Sequence, residues 1–142
     1  MDGRDFLKVA KSLIAGSSEA EYRSAVSRAY YGAYNFARQL LDDWSFEVSV
    51  GSSGHGEVRN MFSNCGVQDI EVAANKLNDL HGRRIDADYL RKDDIGKQNN
   101  AKLYVGIAVD IVKTLEKCLV DPHKTTAING IRTYRLKIKA TP

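Results

Sequence analysis

The stretch EYRSAVSRAYYGAYNFARQLLDDW, residues 21–44, decides the fold class. Tyr22, Ala25, Val26, Ala29, Tyr30, Ala33, Phe36, Ala37, Leu40, Leu41 and Trp44 recur at steps of three, one and three. This spacing sets them on one face of a helix with a 3.6-residue repeat. Ser18 stands three residues before Glu21. In that pattern the serine accepts from an early backbone N–H and the glutamate reaches back, which starts the helix near Glu19. About 26 residues at 1.5 Å each predict a rod of roughly 39 Å. A helix of that length needs neighbours of similar length to cover its apolar stripe.

Working outward, the same periodicity recurs. Phe6, Leu7, Ala10, Leu13 and Ile14 predict a helix over residues 2–15, ended by Gly16-Ser17-Ser18. Residues 45–54 are rich in serine and glycine and read as a loop. Val58, Met61 and Phe62 predict a third helix from about His55 to Asn64, closed by Cys65-Gly66. Ile70, Ala73, Ala74, Leu77 and Leu80 predict a fourth from Asp69 to Leu80 or beyond, its end blurred by Gly82. The last spans about Asn99–Leu119, and Leu103, Ile107 and Val109 widen its stripe over most of the circumference. A helix apolar nearly all round sits centrally or at an interface. The two prolines, Pro122 and Pro142, leave the first 121 residues free of the residue that most strongly breaks helices. The expectation is an all-α, up-and-down bundle of four or five helices over residues 1–120.

Residues 121–142 form a separate, basic extension. Lys124, Arg132, Arg135, Lys137 and Lys139 oppose Asp121 alone, so the extension carries +4 and the rest of the chain −1 of the net charge of +3. Tyr134, Leu136 and Ile138 alternate with Arg135, Lys137 and Lys139, which is a strand period. A short extended tail is expected, with Arg132, Tyr134, Arg135, Lys137 and Lys139 available to nucleic acid.

Composition excludes several classes. With 43% hydrophobic and 27% charged residues the chain is globular. No run of about 18 apolar residues predicts a membrane span, and MDGRDFLKVAKSL lacks the apolar core of a secretory signal. Cys65 and Cys118 lie far apart outside any CxxC pattern and suit a reducing, cytoplasmic setting. His55, His81 and His123 occupy separate segments without metal-ligand spacing, so neither metal nor cofactor is expected. Phosphate-binding glycine loops and hydrolase or metalloprotease motifs are missing.

Two clusters hold the candidate chemistry. In RSAVSRAYYGAY, residues 23–34, Arg28, Tyr31, Gly32 and Asn35 share a flank; they read as tight packing against a neighbouring helix or as a polar cleft wall. In LHGRRIDADYL, residues 80–90, His81, Arg83, Arg84, Asp86, Asp88 and Tyr89 crowd together. Arg84 and Asp88 fit an exposed i,i+4 ion pair. The arginines with Tyr89 also fit a phosphate-contacting site.

These segments resemble the HEPN family (higher eukaryotes and prokaryotes nucleotide-binding). The matching stretches are SRAYYGAYNFARQLL at residues 27–41, HGEVRNMF at 55–62 and LHGRRIDADY at 80–89. The resemblance covers most of residues 1–120 and implies a helical bundle that forms a homodimer. It implies RNA or a nucleotide as ligand, or a partner protein encoded nearby, in a toxin–antitoxin, antiphage or RNA-associated system. Many members are metal-independent endoribonucleases whose site pairs an arginine with a histidine, four to six residues lying between them, followed by a tyrosine. Here Arg83 is followed after four residues by Asp88 and then Tyr89, and His81 precedes the arginine. Asp88, flanked by Arg83, Arg84, Arg91 and Lys92, is held ionised and repels phosphate. The expectation is therefore a non-nuclease binding or adaptor protein, with Arg28, Tyr31, Asn35, Arg83, Arg84 and Tyr89 as binding candidates. The alternatives are a ribonuclease with a divergent site using His81, Arg83, Arg84, Tyr89 or His55, and a structural adaptor without RNA contact.

Overall fold

A computed structural model describes residues 2–90 and 93–140, with Asp93 by its backbone alone. Among these residues the chain forms six α-helices: α1 Gly3–Ile14, α2 Glu19–Asp43, α3 Ser53–Ser63, α4 Gln68–Asp88, α5 Gln98–Glu116 and α6 His123–Ala140. Short 3-10 turns occupy Asp93–Gly96 and Lys117–Leu119. The all-α expectation holds. No described helix is long and apolar enough to cross a membrane.

The capping box at the start of α2 is formed: the Glu21 amide donates to Ser18 Oγ at 3.2 Å, and Ser18 Oγ–H donates to the Glu21 carboxylate at 2.8 Å. The 25 residues of α2 make it the spine of the bundle, packed on α1, α4 and α5. Helix α5 runs antiparallel to α1 and α4, as cross-helix contacts record. Gln98 at the start of α5 donates to the Ile14 carbonyl at the end of α1 (2.9 Å), whereas Arg4 pairs with Glu116 (3.5 Å). Lys117 likewise reaches Asp69 at 3.1 Å. Alanine-rich stripes let the backbones approach. A Cβ on Gly3 would lie 2.5 Å from the Gly32 carbonyl oxygen, so the α1–α2 crossing requires glycine at that point.

Two boundaries differ from expectation. Helix α4 continues through Gly82 to Asp88, because Arg23 of α2 caps its far end. Arg23 is buried, and its guanidinium donates to the Asp86 and Ala87 carbonyls at 3.1 and 3.3 Å. These acceptors would otherwise be orphaned at a buried helix terminus. Helix α3 begins at Ser53, within the stretch expected to be loop, and Gly54 is buried against Ser49.

The extended tail is a correction. Residues 123–140 are helical, and Ala127 and Ile131 are buried in the main core. Ala127, Ile131 and Tyr134 step by four and three, a helical stripe that outweighs a strand-like alternation confined to residues 134–139. Of the basic residues, Arg135 turns back onto the bundle, its guanidinium 5.6 Å from the centre of the Phe46 ring. Arg132, Lys137 and Lys139 are exposed, and Tyr134 is half-buried.

Candidate functional site

The junction of α2, α3 and α4 gathers a dense set of aromatic, imidazole and guanidinium groups. Tyr30, Tyr31 and Tyr34 come from α2, His55 and Arg59 from α3, and Asn78, His81 and Arg84 from α4. Antiparallel packing brings the His55 ring to 4.7 Å from the His81 ring, parallel within 5°. Tyr30 stacks on His81 at 5.0 Å and Tyr34 on His55 at 4.3 Å. Arg84 lies over the Tyr31 ring at 5.4 Å. It also pairs with Asp88 at 3.3 Å and approaches His81 Nε2 at 3.4 Å. The expected Arg84–Asp88 pair is thus formed, but not at an exposed place: the Arg84 side chain is only 14% exposed. Its Nε is buried without a hydrogen-bond partner among the described residues.

The electrostatics follow from this packing. Burial pushes the Tyr30 hydroxyl above the ordinary phenol range, so it stays protonated, and it shares a hydrogen bond with His55 Nδ1. His81 is pushed down to about 4, first by burial and then by the charges of His55, Arg84 and Arg59. His55 is lowered by burial, Arg84 and Arg38. Both imidazoles are therefore neutral near pH 7 and stack without mutual repulsion. Arg59 donates to the Asn78 side-chain oxygen at 2.7 Å and to that of Asn60 at 3.2 Å, so its described partners are amides rather than carboxylates. A cavity of about 20 Å³ lies between Tyr30, His55, Arg59, Asn78 and His81, room for about one water or ligand atom.

Of the residues singled out in the sequence, the fold brings together Tyr31, His81, Arg84 and, through its ion pair, Asp88. It separates the rest. Tyr31 and Gly32 are one residue apart and hence about 100° apart around α2. Gly32 faces Leu7 of α1, while Tyr31 faces the histidines. Arg28 is exposed and Asn35 half-buried. Arg83 pairs with Asp86 at 3.4 Å and lines a groove of about 370 Å³ with Lys76, Asp79, Leu80, Tyr104 and Ile107. Tyr89 caps the end of α4 and is exposed. Arg91 and Lys92 lie outside the described residues. Arg59, Asn78, Tyr30 and Tyr34 were not singled out as site residues, and His55 stood only as a substitute histidine. One signal in the sequence pointed there: the dipeptide His-Gly occurs twice, at 55–56 and 81–82.

Among the described residues no three metal-ligating side chains converge. Compared with protein-family models, curated proteins and solved structures, the chain matches none.

Proposed function

We propose that the chain is a HEPN-like, homodimeric, cytoplasmic binding module that engages RNA without cutting it, serving a toxin–antitoxin, antiphage or other RNA-associated system. The observation that carries this reading is the stack of Tyr34, His55, His81 and Tyr30 beside Arg84 and Arg59. The stacked rings cover one another's faces, so it is the guanidinium groups that would take phosphate, with the half-exposed Tyr31 beside them as the ring an unpaired base could meet. Cleavage of RNA without metal needs one group to accept the 2′-hydroxyl proton and another to protonate the leaving oxygen, both best poised near neutral pH. A histidine held at about 4 is a feeble base, and the tyrosine beside it holds its proton too tightly to act as the acid. Of the positions where the family resemblance would set the active site, Asp88 is tied to the histidines through Arg84, whereas Arg83 pairs with Asp86 and Tyr89 is exposed.

A second reading, a metal-independent ribonuclease, draws on the direct apposition of the two histidines next to Arg84. Incubation of labelled RNA with the protein in excess EDTA separates the readings. The expected result is salt-sensitive retention of intact RNA. Cleavage that disappears in both His81→Ala and Arg84→Ala would establish the nuclease instead. Absence of retention at low salt would leave a structural adaptor.

A further inference from the structure

Helices α4 and α5 lie side by side and antiparallel, tied at one end by the Lys117–Asp69 pair. Their outer seam is open. The groove of about 370 Å³ that holds Leu80, Tyr104 and Ile107 is continued past Lys76 by a second of about 190 Å³ that reaches Val72 and Asp110, and every residue lining the two belongs to α4 or α5. Leu103 and Val72 are exposed beside this seam, and Tyr104 and Ile107 are half-buried. Leu103, Gly106, Ile107 and Asp110 recur at steps of three, one and three, which sets them in one stripe down the outside of α5. Gly106 stands in the middle of that helix, where glycine is the poorest choice after proline. A Cβ there would meet nothing within 4 Å, so packing within the chain does not require the glycine. Its bare backbone leaves room for another helix to cross closely from outside.

The charges say which helix that is. Lys76, Asp79 and Asp110 border the grooves, are exposed, and have no ion pair or hydrogen bond among the described residues. A two-fold interface lays a patch on its own image, so a patch of one sign repels itself, whereas one carrying both signs can set acid against base. Helix α6 fails that condition, with five cations and no carboxylate between His123 and Ala140. A standard interface takes about 800 Å² from each partner, roughly a tenth of this chain's 7766 Å², which suits a face built from helices of 21 and 19 residues. We propose that the α4–α5 face is where a second copy of this chain docks, the two α5 helices crossing at Gly106 and Leu103 of each copy seated in the other's groove. The proposal rests on the homodimer in the reading above and locates its seam. Around α4, Lys76, Asp79 and Arg83 point away from Asn78 and His81, so the histidine stack lies outside the seam and each copy keeps its own.

The test is the mass in solution, by light scattering over a dilution series, of the full chain and three variants. Leu103→Glu and Gly106→Leu alter groups that touch little within the chain, so both should keep the helical circular dichroism of the parent. Each should weaken self-association about ten-fold or more. Leu136→Glu, on the exposed end of α6, should leave the parent's dimer unchanged. If Leu103→Glu fails to fold, Gly106→Leu decides alone, since the space around that position is open. A parent dimer that persists undiminished in both α5 variants would put the seam elsewhere, and the proposal would fail while the homodimer stood. Loss of the dimer in Leu136→Glu alone would move the seam to α6. A parent of single-copy mass at tens of micromolar would overturn the homodimer and its seam together.

Discussion

His81 shows what the tertiary environment does to a single side chain. On an isolated helix it would titrate near the ordinary imidazole value. Between His55, Tyr30 and Arg84 its proton affinity falls to about 4. Below an unfolded-state value of about 6.5 the unfolded chain binds the proton more readily than the folded one, so stability must fall with falling pH. The contribution is fully present above about pH 6.5 and is lost progressively down to about pH 4. His55, lowered in the same direction, adds to the slope. We expect the thermal midpoint to decline across this window and the decline to shrink in His81→Gln. An unchanged slope in the variant would place the acid sensitivity elsewhere. Asp2, Glu21 and Asp121, whose carboxyl groups are held low by hydrogen bonds, lose their contribution at more acid pH and so do not mimic it.

Among the elements, α6 meets the bundle at one close backbone approach. Gly130 sits over the turn after α3, where a Cβ would lie 1.7 Å from the Cys65 carbonyl oxygen. The obstacle is backbone and cannot swing aside, so Gly130→Ala must lift the helix. Overpacking of this kind costs about 1–3 kcal/mol. Denaturant unfolding should show that loss, and limited proteolysis should cut the α5–α6 connection faster than in the parent. Equal protease resistance would mean that α6 is held by Ala127 and Ile131 alone. The far end of α6 does not form an amphipathic membrane-binding face. Leu136 and Ile138, 68% and 52% exposed, are two residues apart and point to different sides.

For the whole molecule, the exposed apolar surface bears on assembly. Helix α5 packs on α1, α2 and α4 and still leaves Leu103 57% exposed, with Gly106 on its open face. Val72 of α4 is also exposed. A two-fold interface using such a face would bury on the order of 1,600 Å². Light scattering at tens of micromolar should return about twice the monomer mass of 15.8 kDa. A monomer mass would contradict the dimer proposed here.

The helical class of the chain was determined by local sequence, because period and capping depend on residues within one or two turns. The stripe from Tyr22 to Trp44 and the Ser18–Glu21 box predicted α2 to within a residue or two of its bounds. The end of α4 was not legible, since it depends on Arg23, more than 60 positions earlier in the chain. Helix α6 was legible only in part: the stripe of Ala127, Ile131 and Tyr134 marks it, but the strand-like alternation at residues 134–139 competes with that stripe. Arg84 and Asp88, one turn apart, could be paired by counting. His55 and His81 could not, because they stand 26 positions apart and come together only when α3 folds back on α4. Which groups share a site, and hence whether an imidazole is neutral or charged at pH 7, was decided by tertiary packing. Burial and neighbouring charge act through space, and spacing along a chain does not record them.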